Sequence, residues 1–166
     1  MFRPWGRPTH PPNFCQQISI GKLSTMTTTT TAPTRPNTIG EWTLQQTIET
    51  LSRPIPESLL GTKDRNITYL PWHNAVKILD KYCPGWTWEI AILRSSGDRL
   101  FLTGRLTLTV AEGRVYREAT GTETLKLTKR NGETVEHPYG DPSSNAESMA
   151  FRRACAKFGL GLYLYQ

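Results

Sequence analysis

Cysteine is scarce: Cys15, Cys83 and Cys155 are far apart and form no C-x-x-C pair. That spacing fits neither a disulfide framework nor a zinc ribbon, so the three read as reduced thiols. No run approaches the roughly 20 consecutive apolar residues of a membrane helix, and residues 1–25 lack the apolar centre of a secretory signal. Gly21-Lys22 is followed by leucine and lacks the preceding glycine of a phosphate-binding loop, which argues against nucleotide hydrolysis. His10, His73 and His137 have no metal-site spacing. Glu112, Glu118 and Glu123 are spread over a turn and a strand, not gathered as a two-metal nuclease requires. We therefore expect no enzyme and no cofactor.

What is present suffices for one core. Hydrophobic residues make up 37% of 166, with 5 Trp, 6 Tyr and 5 Phe, which excludes a wholly disordered chain and suits one domain plus a tail. The net charge is +6, but Arg3, Arg7 and Lys22 precede Met26 and no acid does, so residues 26–166 carry only +3. Basicity alone is weak evidence for a nucleic-acid partner; what matters is where the cations sit.

Residues 1–37 hold Pro4, Pro8, Pro11, Pro12, Pro33 and Pro36 and the run Thr27–Thr31, with no helical or strand period. This reads as a disordered leader, with Met26 an alternative start, ahead of a single domain over 38–166. Thr43 and Gln46 form a capping-box pattern before the stripe Trp42, Leu44, Ile48, Leu51, which Pro54 ends. Leu59 to Ile67 reads as a polar loop. A second helix starts at Pro71, turns Ala75, Val76, Ile78, Leu79 and Tyr82 to a core, and stops at Pro84-Gly85. Three half-buried antiparallel strands follow: one alternating through Trp86, Trp88, Ile90 and Ile92, one through Leu100, Leu102, Leu106, Leu108 and Val110, and a return over Val115 to Thr124. Asn131-Gly132 predicts a two-residue hairpin turn. Last comes a helix with a Ser144-x-x-Glu147 capping box and Gly159 as its C-cap glycine; its apolar face is Ala150, Phe151, Ala154, Cys155 and Phe158. The expected class is α+β: a three-stranded antiparallel sheet with a small hairpin, packed on a C-terminal helix.

Opposite that apolar face, Arg153 and Lys157 are one turn apart and Arg152 flanks them. The ridge suits phosphate contact, and it equally suits a solvated face that places cations toward a helix C-terminus. Lys63 and Arg65 in the loop, with outward-facing Arg105 and Arg117, would extend the ridge into a groove. Lys126, Lys129 and Arg130 on the hairpin are further candidates, although Glu133 and Glu136 lie across the turn to pair with them. Tyr69, Trp72, Trp86, Trp88, Phe101 and Tyr116 are either stacking platforms or core. Cys155, on the apolar face, reads as an inert buried thiol.

The stretch Ser144 to Gly159, with Arg152-Arg153 and Phe158-Gly159, resembles the final helix of the RAD52 family of single-strand annealing proteins. Tyr69-Leu70 leading to Gly85-Trp86, and Thr103 to Gly121, resemble that family's entry into the sheet and its long strands; the likeness spans about residues 40–162. It implies a β-β-β-α core that assembles into a ring and holds single-stranded DNA in a positive groove. It further implies ATP-independent annealing of complementary strands in homologous recombination and double-strand break repair, with a recombinase or single-strand-binding protein as a further partner. Such a protein is expected in the cytoplasm, with the nucleoid. By motif, Arg152 and Arg153 take the DNA-backbone contacts, and Lys63 or Arg65 the loop cation. The family's third helix cation is here Ala156, with Lys157 one place later. The chain stops at Gln166, soon after the core, which fits a compact bacterial or phage-like member. The competing reading is a double-stranded-RNA-binding module of α-β-β-β-α order, whose phosphates meet the start of the last helix; here the cations lie in its second half.

Overall fold

A computed structural model describes residues 35–63, 67–136 and 141–165. Cys15, Met26 and nearly all of the leader fall outside these, as do Arg65 and His137.

The first helix, α1 (Leu44–Leu51), forms where the capping box predicts it. The Thr43 hydroxyl accepts from the Gln46 N–H at 3.2 Å, and the Gln46 side chain accepts from the Thr43 N–H at 2.9 Å. Glu112, in the turn between the second and third long strands, accepts from the Leu44 N–H at 3.0 Å and ties this helix to the sheet. The segment read as a polar loop is instead a short antiparallel pair, β1 (Gly61–Lys63) and β2 (Ile67–Tyr69). Gly61 stands opposite Tyr69, and a Cβ there would meet the outer edge of the tyrosine ring at 3.0 Å, a tight contact that glycine relieves. Helix α2 (Trp72–Tyr82) follows with Pro71 at its N-cap, buries Ala75 and Leu79, and ends before Pro84-Gly85.

Strands β3 (Thr87–Ser96), β4 (Arg99–Val110) and β5 (Gly113–Thr124) form an antiparallel sheet in the order β3-β4-β5. Leu102, Leu106, Leu108 and Val110 alternate inward and are buried, as their period requires. The alternation of β3 does not run straight through. A bulge between Ile90 and Ile92 shifts the register, so Ile92 stands opposite Thr103 and Leu93 opposite Leu102. One extra residue reverses which side chains face the core, moving Ile92 to the outer face.

Helix α3 (Pro142–Ala156) crosses the inner face and buries Ala146, Ala150, Phe151, Ala154 and Cys155, with Phe158 just beyond. Trp86 and Trp88 pack their rings on Phe151, with centroids 5.8 and 5.0 Å away. The Ser144-x-x-Glu147 box does not form. Asp141 is the N-cap, accepting from the Ser143 N–H at 3.0 Å, Pro142 takes the first turn, and Glu147 instead accepts from Trp88 Nε1 at 2.9 Å. At the other end Gly159 does cap the helix. Its φ is 97°, and the N–H groups of Leu160 and Gly159 bond the carbonyls of Cys155 and Ala156 in a Schellman closure.

The predicted hairpin is present as β6 (Lys126–Thr128) and β7 (Thr134–Glu136), but its turn is not a two-residue one. Lys129 bonds both Gly132 and Glu133, closing a three-residue loop in which Gly132, at φ 83°, takes the left-handed position. Among the described residues no helix is long and apolar enough to cross a membrane.

Candidate nucleic-acid interface

Adjacent helix positions diverge by about 100°, so Arg152 and Arg153 leave α3 on different flanks. Arg152 turns toward the β1–β2 pair. Its Nε donates to the Ser148 carbonyl at 3.1 Å and its guanidinium lies 5.3 Å from the centre of the Tyr69 ring, an arrangement that fixes a long side chain by stacking while leaving its charge in place. Lys63, Tyr69, Arg152, Arg153 and Tyr165 line the resulting cleft of about 280 Å³, floored by Met149 and Leu160. Tyr165 comes from a short 3₁₀ turn, Leu162–Tyr165.

Arg153 and Lys157 turn the other way, toward the outer edge of β5. Arg153 Nη1 donates to the Thr120 carbonyl at 2.7 Å and Lys157 Nζ to the Glu118 carbonyl at 2.6 Å. Beside them is a more open cleft of about 370 Å³, which shares Arg153 and Tyr165 with the first. Carbonyls satisfy a cation's donors without cancelling its charge. Among the described residues none of Lys63, Arg152, Arg153 or Lys157 is ion-paired with a carboxylate, so the field of all four remains available to an anion. Burial pushes the Tyr165 hydroxyl's pKa up, opposed by the charges of Arg152 and Arg153 beside it.

No family model matches the chain. It is 35% identical over 127 residues to the DNA repair RAD52-like protein 1, mitochondrial, of Arabidopsis thaliana, covering 74% of this chain and 67% of the relative. To the DNA repair RAD52-like protein 2, chloroplastic, of the same plant it is 33% identical over 161 residues, covering 93% of this chain and 71% of the relative. The chain belongs to the RAD52 family.

In this RAD52-family chain the other candidate cations among the described residues do not join the first cleft. Arg105 and Arg117 are not a pair of outward residues: their registers put them on opposite faces of the sheet. Arg105, on the outer face, bonds Glu118 at 2.7 Å and Glu89 at 3.0 Å and lies 4.7 Å from the Tyr116 ring centre. The Glu118 hydrogen bond leads the causes that raise its pKa, and with two carboxylates on it the guanidinium is neutralised. Arg117, on the inner face, covers the Phe158 ring at 5.3 Å. Lys129 pairs with Glu133 at 3.0 Å, as the residues across the turn suggested it could, and Lys126 and Arg130 are exposed on the hairpin and line neither cleft. Arg65 lies outside the described residues.

The aromatic candidates divide as well. Trp86 and Trp88 are structural, since Trp86 Nε1 donates to Asp80 at 2.8 Å and Trp88 holds Glu147. Trp72 is half exposed beside an apolar cleft on the far side of α3, and Phe101 and Tyr116 lie on the outer face of the sheet. Only Tyr69 of the six lines the basic cleft. The sequence carries no signal for Tyr165, because its position depends on a non-helical turn after Gly159 and Gly161 that has no period. Burial raises the Cys83 thiol to about 12 and lifts Cys155 as well, so both stay protonated and unreactive near neutral pH.

Proposed function

We propose that this protein binds single-stranded DNA and anneals complementary strands without ATP, in homologous recombination and double-strand break repair. The observation that supports this best is the convergence of Lys63, Arg152 and Arg153 on one cleft beside two tyrosines, in a chain whose relatives are named as DNA repair proteins. The mechanism uses binding alone. Cations hold the phosphates while the bases stay free to sample pairing with a second strand, so sequence specificity comes from Watson–Crick pairing. A ring of subunits would multiply a weak site on each one through avidity, which makes a charge of +3 over residues 26–166 sufficient. A recombinase or single-strand-binding protein is the further partner we expect, and the nucleoid the place of action.

The test is annealing of two complementary oligonucleotides without ATP, comparing the protein with Arg152→Ala/Arg153→Ala over a salt titration. The protein should accelerate annealing and the double variant should lose that effect. Each lost phosphate contact should lower the salt slope of single-strand binding by about 0.7. Absence of acceleration, with duplex RNA bound instead, would overturn the annealing reading in favour of a double-stranded-RNA-binding module.

A further inference from the structure

The two tyrosines of the cleft are not equivalent. One face of the Tyr69 ring is occupied by the Arg152 guanidinium, and the ring lies against Gly61 on the facing strand. It is a support that positions Arg152. Tyr165 is 58% exposed and, among the described residues, has neither an aromatic nor a cationic partner for its ring. Yet it stands at the junction of both basic clefts, each of which it lines together with Arg153.

The turn that carries Tyr165 is firmly held. Gly161, at φ 68°, reverses the chain; Leu160 is buried, Leu164 packs on the core, and the Leu164 N–H bonds the Gly161 carbonyl at 3.0 Å. The Tyr163 hydroxyl accepts from the Ile55 N–H at 3.0 Å, pinning the turn to the segment after α1. An aromatic ring held in place, exposed, and flanked by unneutralised arginines meets the requirements for stacking a nucleobase whose phosphates those arginines hold.

We propose that Tyr165 is the base-stacking platform of the interface, receiving one base of a single strand whose backbone passes from the Lys63–Arg152 cleft to the Arg153–Lys157 cleft. This rests on the single-strand reading above and adds to it a contact to a base. Near neutral pH the ring is a neutral phenol, as any tyrosine is well below its ordinary pKa of about 10. Stacking needs the ring rather than the hydroxyl, so phenylalanine should serve as well as tyrosine.

The experiment measures binding by the full chain of a thymidine oligonucleotide and of an abasic strand of the same length, for wild type, Tyr165→Ala, Tyr165→Phe and Arg152→Ala/Arg153→Ala. Wild type should prefer the strand with bases. Y165A should bind that strand about tenfold more weakly and the abasic strand as wild type does, with an unchanged salt slope, and Y165F should match wild type. Equal weakening of Y165A on both strands would mean a merely structural role and would overturn the proposal. So would Y165A binding indistinguishable from wild type while the double arginine variant loses affinity, an outcome that leaves the DNA site itself standing. Undiminished binding by the double arginine variant would instead remove the reading on which the proposal rests.

Discussion

At Gly121 the sheet and α3 come closer than any side chain permits, since a Cβ there would lie 1.8 Å from the Ala146 carbonyl oxygen and 2.9 Å from the Ala150 nitrogen. Both atoms belong to helix backbone, which cannot swing aside as a side-chain tip can. Gly121→Ala should therefore push α3 off β5 and cost roughly 3 kcal/mol, the upper end of the overpacking range, lowering the midpoint of thermal unfolding by on the order of 10 °C. A melting curve superimposable on wild type would refute this contact. The same close approach sets where Arg153 and Lys157 meet the β5 carbonyls, so the variant should also weaken single-strand binding. Little of this was legible in the sequence, where Gly121 is one small residue among alternating threonines. Arg152 and Arg153 were legible because their signal is local, two adjacent cations opposite a five-residue apolar face. That Arg153 lines both clefts while Arg152 lines only the first was not, because it depends on β1, β2 and the turn after Gly161, all remote in sequence or without a period. Arg105 misled for a related reason: its two carboxylate partners lie 13 and 16 residues away on neighbouring strands.

Among the elements, α1, α2, the three long strands and α3 were readable from periodicity and caps, and the errors fell where two local signals competed or where a distant residue intervened. At the start of α3 two such signals overlap, Asp141-Pro142 and Ser144-x-x-Glu147. The first prevails because Trp88, 59 residues away, engages the Glu147 carboxylate that the second would need. In β3 the bulge broke an alternation that the apolar pattern Trp86, Trp88, Ile90, Ile92 continues unbroken, since hydrophobicity does not report a register shift. The cap that does form has a pH signature. The Ser143 hydroxyl, followed by the Ser144 backbone N–H, holds the Asp141 pKa below the ordinary carboxyl value of 3.8. A lowered pKa means the ionised carboxylate is favoured in the fold. Its stabilisation is thus fully present above that ordinary value and is lost as pH falls through the lowered one. Asp141→Ala should melt below wild type at pH 7, and the gap should close in strong acid. A gap of the same size at both pH values would show that the cap does not depend on the carboxylate charge.

Over the whole molecule, the two free edges of the sheet are treated differently. The β5 edge is covered, since Arg153 and Lys157 occupy the Thr120 and Glu118 carbonyls, and long cations along an edge are a recognised guard against unwanted pairing. The β3 edge has no such cover among the described residues. It exposes Ile90 at 48% and Leu93 at 57%, both registered opposite buried positions of β4 at Gly104 and Leu102. They therefore lie on the core-facing side of the sheet, beyond the reach of α3. An apolar edge of this kind is a template for another chain, and under the ring proposal a second copy would dock there. Ile90→Lys/Leu93→Lys puts two charges into that contact at positions already exposed in the single chain, so it should spare the fold while preventing assembly. By light scattering, wild type should be a multiple of the 18.8 kDa chain and the double variant a single one. The variant should also bind long single strands at least about 100-fold more weakly, through lost avidity, while a strand short enough for one subunit binds both forms alike. A variant that assembles like wild type would remove β3 from the contact, and a wild type that is itself monomeric would remove the ring.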